Sequence, residues 1–141
     1  MIEIINRQRG RKINAKQWSK FGEQALQAIG TKKPDASIVF VSDDAIRNLN
    51  RQFRGRNHAT DVLSFPQRAE AFEVENQARL GEVVISVERA AAQARRNGLS
   101  FSNEVQQLIL HGLLHLSGYD HESDKGEMNR LELRLRKRLE I

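Results

Sequence analysis

The stretch EVQQLILHGLLHLSG, residues 104–118, constrains the fold more than any other part of the chain. Val105, Leu108, Ile109, Gly112, Leu113 and Leu116 recur at i, i+3, i+4, i+7, i+8 and i+11, the period of a helix with one core-facing stripe. Leu110 and Leu114 extend the apolar surface to the flanks, so this helix is predicted to be buried and central. The same helix carries His111 and His115. Burying an imidazole without a partner costs free energy, so both need a chemical reason to be there.

Their spacing supplies one. Side chains four residues apart leave a helix from the same side, one turn from each other, and two such imidazoles can reach a single ion. Gly118 then stops the helix, because glycine takes the left-handed conformation without a Cβ clash. His121 follows three residues later. The pattern H-x-x-x-H-x-x-G-x-x-H has the ligand spacing of the metzincin zinc site. The chain has no cysteine, so only His, Asp or Glu can hold a metal. Three imidazoles with an open fourth position describe a catalytic zinc site rather than a closed structural one.

One residue departs from the peptidase pattern. In H-E-x-x-H the second position is the glutamate that acts as general base. Here it is Gly112, so the ligand geometry is shared while the usual peptidase base is absent.

The remaining segments predict an α+β fold. It would be one domain over residues 1–141, a mixed sheet of about four strands packed with about five helices. Residues 1–5, 36–42, 62–65 and 80–87 read as strands. Asn14 caps a helix bearing Trp18, Phe21, Ala25 and Ile29 and stopped by Gly30. Residues 43–53 and 88–98 read as helices, Ser102 or Asn103 caps the histidine helix, and a last helix spans 125–139. Residues 67–79 lack periodicity and read as an irregular excursion.

The 29% charged and 39% apolar composition excludes a disordered chain. The longest strongly apolar run, residues 108–116, is about half the length needed to cross a bilayer. The N-terminal residues lack the apolar core of a signal peptide, so a cytoplasmic protein without membrane contact is expected. A net charge of +5 and a pI near 10 make nucleic acid a plausible partner. Basic residues gather at 7–12, 47–56, 89–96 and 130–138.

HGLLHLSGYDHE closely resembles the signature of the YbeY family, metal-dependent endoribonucleases of ribosomal RNA maturation. LNRQFRGRNHATDVLSFP, residues 49–66, resembles that family's arginine-bearing loop, and LGEVVIS, residues 80–86, its central strand. The resemblance implies one zinc ion per chain held by His111, His115 and His121. It implies cleavage of single-stranded RNA, 3′-end maturation of small-subunit ribosomal RNA, and a part in ribosome quality control. It also places Arg54 where the family has an arginine facing the metal cleft. At His58 and Ala59 the family more often has a basic or polar residue followed by proline, whereas Thr60 and Asp61 match.

Phosphodiester hydrolysis needs an activated nucleophile and compensation for charge growing on phosphate oxygens. Arg54 would supply a planar positive fork for the non-bridging oxygens. Glu82 is a candidate catalytic base, and Asp61 an alternative to it. Either could instead orient a ligand imidazole. Arg56 and Tyr119 are candidate substrate contacts, the tyrosine by base stacking or simply by packing at the helix end. His58 is an extra ligand, a phosphate contact or a plain loop residue, while Asp120 and Glu122 read as turn residues. Two other functions compete with the nuclease: a non-catalytic, zinc-braced ribosome assembly factor, and a metallopeptidase using the metzincin spacing.

Overall fold

The sheet is assembled from strands that lie far apart in sequence. In this computed structural model residues 1–67, 79–120 and 122–141 are described. The chain runs β1 (Ile2–Asn6), α1 (Ala15–Ile29), β2 (Asp35–Val41), α2 (Asp43–Arg54), β3 (Val62–Pro66), β4 (Arg79–Ser86), α3 (Val87–Asn97), α4 (Phe101–Leu116) and α5 (Glu127–Leu139). The strand order is β1-β2-β4-β3. β1 with β2, and β2 with β4, run parallel, while β3 joins β4 antiparallel and forms an outer edge. This is the α+β mixed sheet with five helices that the sequence predicts. The expected excursion at residues 67–79 lies almost wholly outside the described residues.

Strand alternation divides the interior into two unequal parts. Ala36, Ile38 and Phe40 of β2 and Val83 and Ile85 of β4 face the large core, which they share with α1, α3, α4 and α5. Val39, Val41, Leu63 and Val84 face the other way, onto Ile46 of α2 and a few half-buried neighbours. α4 runs through the large core: Val105, Ile109, Leu110, Leu113 and Leu114 are all fully buried. Its predicted central place follows from an apolar surface broad enough to pack on several elements at once, leaving only a narrow side for the half-buried polar residues.

The helix termini are set by small side chains. Asn14 Oδ1 accepts from the Gln17 amide at 3.1 Å, and Ser86 Oγ from Arg89 at 3.1 Å. Each satisfies a donor that the first turn would leave orphaned. One cap differs from expectation. Ser100, rather than Ser102 or Asn103, caps α4, its Oγ accepting from the Asn103 amide at 3.0 Å. Starting earlier brings Phe101 into the first turn, where it packs on the large core. Among the described residues no helix is long and apolar enough to cross a membrane.

Candidate metal centre and cleft

His111 and His115 project from α4 into a cleft walled by β3, and both are half-buried. Their Nε2 atoms lie 3.1 Å apart, with the rings nearly perpendicular at 79°. Two imidazole nitrogens bound to one zinc at about 2.0–2.1 Å in tetrahedral geometry stand roughly 3.3 Å apart. The observed separation fits that arrangement to within about 0.2 Å. Facing lone pairs repel unless a proton or a cation lies between them, so the pair suits a shared positive centre.

The far side of His111 is held by a residue that the sequence reading did not select. Its Nδ1 is 2.5 Å from Glu132 Oε1 on α5. A proton on Nδ1, donated to this carboxylate, leaves Nε2 as the lone-pair nitrogen, the tautomer a metal ligand requires. Burial pushes the Glu132 carboxyl up, but the His111 hydrogen bond and the charges of His111, Arg136 and His115 outweigh it, so its pKa is lowered. Arg136, one turn further along α5, donates to Glu132 Oε2 at 3.0 Å. The signal was present in the sequence: Glu132 sits between Met128 and Leu135, both buried, on the apolar stripe of the last helix. A carboxylate interrupting such a stripe needs a cationic or N–H partner.

The helix ends as the glycine predicts. Gly118 adopts φ +101°, and the Tyr119 amide bonds back to the Leu114 carbonyl at 3.1 Å, closing the turn. Tyr119 is half-buried, packs on the large core and lines the cleft beside the histidines. His121 lies outside the described residues, and among those described no group of three metal-ligating side chains assembles.

The cleft in front of the histidines holds about 560 Å³, and the outer edge of β3 forms one of its walls. Arg54, at the end of α2, reaches this wall and donates from Nη2 to the Ser64 carbonyl at 2.8 Å. That bond satisfies an edge-strand acceptor and leaves the rest of the guanidinium fork on the cleft side. Next to it Phe53 is 58% exposed, edge-on to Phe65 with ring centroids 5.4 Å apart. It is an uncovered aromatic surface beside a fixed cation.

The profile of the family described as Endoribonuclease YbeY matches residues 3–140. The chain belongs to the YbeY family. Among curated relatives, the Endoribonuclease YbeY of Geobacter metallireducens is 38% identical over 136 residues, covering 96% of this chain and 91% of that one. That of Syntrophus aciditrophicus is 36% identical, covering 89% and 79%. A Thermotoga maritima protein solved in solution superposes with a TM-score of 0.62 at 29% identity, over 95% of this chain and 85% of that one.

In this YbeY-family chain the residues singled out from sequence separate into two groups. Arg54, Arg56, His58, Asp61, Tyr119, Asp120 and Glu122 line the cleft together with His111 and His115. His58 is exposed, its Nδ1 3.1 Å from the Ala59 oxygen, while its own carbonyl accepts from the buried Asn50 amide at 2.9 Å. Asp61 Oδ1 accepts from the Val62 amide at 2.8 Å. With the Gln93 amide oriented to donate, it also bridges Asp61 Oδ2 and Glu104 Oε1. Glu82 is not brought to the site. It pairs in register with Ser37 and Phe65 on the α2 side of the sheet, opposite the histidines, and lies 3.6 Å from Arg79. The reason is strand periodicity: Val83 takes the α4-facing place, which turns Glu82 away.

Gly112 has a packing explanation. A Cβ there would meet Val83 Cγ1 at 2.6 Å and Ser64 Oγ at 3.3 Å, and the Ser64 hydroxyl donates to the Gly112 carbonyl at 3.1 Å. Position 112 faces the sheet, so no side chain fits there and a glutamate could not serve the cleft. The glycine sets how closely α4 approaches β3 and β4.

Proposed function

We propose that the protein is a zinc-dependent endoribonuclease of single-stranded RNA, acting in ribosomal RNA processing. The family supports the RNA cleavage. Maturation of the small-subunit 3′ end and ribosome quality control, with the ribosome or its small subunit as partner, are the roles that the sequence resemblance implies. The observation that carries the metal reading is the convergence of His111 and His115 Nε2 atoms at 3.1 Å on the floor of an open cleft. His121 would complete the donor set. Three neutral imidazoles favour zinc over magnesium, which prefers oxygen ligands.

When bound, zinc would act as a Lewis acid on the phosphoryl group and lower the pKa of the attacking water. The chain supplies the rest. Glu132 holds the His111 tautomer, and Arg136 holds Glu132. Arg54 offers its remaining N–H donors to the non-bridging phosphate oxygens. Asp61, a carboxylate lining the cleft, would be the candidate for proton transfer. Arg56 would steer the RNA backbone, and Tyr119 and Phe53 would stack unpaired bases, which favours single strands over duplex.

The test is cleavage of a defined RNA by the purified protein before chelation, after it, and after zinc is restored, with the product ends mapped. Activity that chelation abolishes and zinc restores is expected. A 5′-phosphate product identifies water as nucleophile, and a 2′,3′-cyclic phosphate identifies the ribose hydroxyl. Cleavage that chelation leaves intact contradicts the metal-dependent reading.

A further inference from the structure

A second cavity, of about 520 Å³, has a lining that shares no residue with the metal cleft. It lies past the C-terminal ends of the three parallel strands. Arg7 follows β1, Ser42 follows β2 and Val87 follows β4, and all three residues line it. The crevice beyond the carboxyl ends of parallel strands is the usual ligand position in open α/β sheets. β1 and β3 are opposite edges of the sheet, three strand spacings apart, or roughly 14 Å. The two cavities share no lining residue, although Val87 and Glu88 carry the second one across to β4, the neighbour of β3.

Arg7, Arg9 and Arg11 line this cavity from the loop that links β1 to α1. The loop is built rather than slack. The Arg7 amide bonds to the Phe40 carbonyl at 2.8 Å, prolonging the β1–β2 ladder. Gln8 then staples the bend: its Nε2 donates to Asn6 Oδ1 at 2.8 Å and to the Arg11 carbonyl at 2.6 Å, and its Oε1 accepts from the Arg11 amide at 2.9 Å. The Arg11 guanidinium rests 4.0 Å from the centre of the Phe101 ring, which positions the charge without neutralising it.

None of these three arginines makes an ion pair among the described residues, whereas Arg79, Arg89 and Arg136 each face a carboxylate. Glu88 is the one acidic side chain lining the cavity, and its Oε1 is engaged by the Asp43 amide at 3.0 Å. Three positive charges around one engaged carboxylate favour a polyanion.

We propose that the loop of residues 7–11 is a second RNA-backbone station, binding phosphates of the single strand away from the point of cleavage. This rests on the endoribonuclease reading above. A strand several nucleotides long spans both cavities, and a very short one reaches only the metal cleft.

The experiment uses the full chain loaded with zinc and compares wild type, the double variant Arg7→Gln/Arg9→Gln and the conservative Arg7→Lys/Arg9→Lys. Binding to an unstructured RNA of about 30 nucleotides is followed by fluorescence anisotropy against salt. Each lost phosphate contact lowers the slope of log affinity against log salt by about 0.7 for single strands, so the glutamine variant is expected to lose about 1.4. Its KM for the long RNA rises about 5- to 10-fold with kcat unchanged, cleavage of a short oligonucleotide is unaffected, and the lysine variant stays near wild type. An unchanged slope and KM overturn the proposal and leave the cavity to another anion, such as an acidic protein. Equal losses on long and short substrates also overturn it, because they place the defect in the cleft or the fold. If wild type neither binds nor cleaves RNA, the endoribonuclease reading and this inference fall together; if it does both and the variants match it, only this inference falls.

Discussion

The two faces of the sheet carry different parts of the site and are built to different depths. The α4 face is packed by four helices and presents the histidines from a helix whose inner residues are fully buried. The α2 face is covered by a few aliphatic side chains around Ile46, and it delivers Arg54 and its loop to the cleft from the end of a short helix. Metal donors need positions fixed to within about 0.5 Å, which a deep core supplies. A loop that meets a polymer does not need the same rigidity. On the function proposed above, that division would set the metal donors on the deeply packed side and the phosphate-binding Arg54 on the thin side.

Truncation in each core tests that division most strongly. Leu113→Ala on α4 is expected to cost about 4 kcal/mol, because a close-packed surrounding cannot collapse into the gap, and to loosen the histidines as well. Ile46→Ala on α2 is expected to cost about 2 kcal/mol with metal content retained. Denaturant titration with metal analysis reads both. Equal costs, or metal loss from the Ile46 variant, break the comparison.

Gly112→Ala comes next. The added methyl group gains about 1 kcal/mol of helix propensity but strikes the β-branched Val83, which has little freedom to move. A net loss of about 1–2 kcal/mol is expected from thermal melts. A stabilised variant would show that α4 can lift off the sheet.

This position also marks what the sequence could and could not say. Period and chemistry made α4, its two facing imidazoles and the Gly118 turn legible, since each depends on residues close together in the chain. Gly112 read as a missing catalytic carboxylate, because only the fold shows that it faces Val83. Glu82 read as a base on its strand, and only the register shows which face it takes. Glu132 went unselected for the same reason: its partner is His111, 21 residues away on another helix. Long-range pairing was the common gap.

Glu132→Gln sharpens the account of the metal side. Losing the charged partner of a ligand imidazole is expected to weaken zinc binding about 10- to 100-fold, measured by competition with a chelator. The same carboxylate carries a pH signature. Its folded pKa lies below the unfolded value, so its stabilisation is complete above the unfolded carboxylate range and disappears as pH falls through the folded value. In metal-free protein the melting-temperature gap between wild type and Glu132→Gln should close on acidification below about pH 4. A gap that widens there contradicts the assigned partner.

Arg54→Gln is expected to have the smallest structural effect and a selective chemical one. The residue is exposed and makes one bond to an edge carbonyl, so stability should change by less than about 1 kcal/mol. RNA cleavage should fall about 100-fold, as when a preorganised donor to a developing anion is removed, with zinc content unchanged. Zinc lost with the arginine would join the two sides that the comparison separates.

The central claim is that the His111–His115 pair holds the metal used for RNA cleavage. Zinc content and RNA turnover measured on the same preparation of His115→Ala, with cooperative unfolding confirmed, test it most directly. Loss of both zinc and cleavage is the predicted result; cleavage at the wild-type rate by the zinc-free variant would contradict the claim.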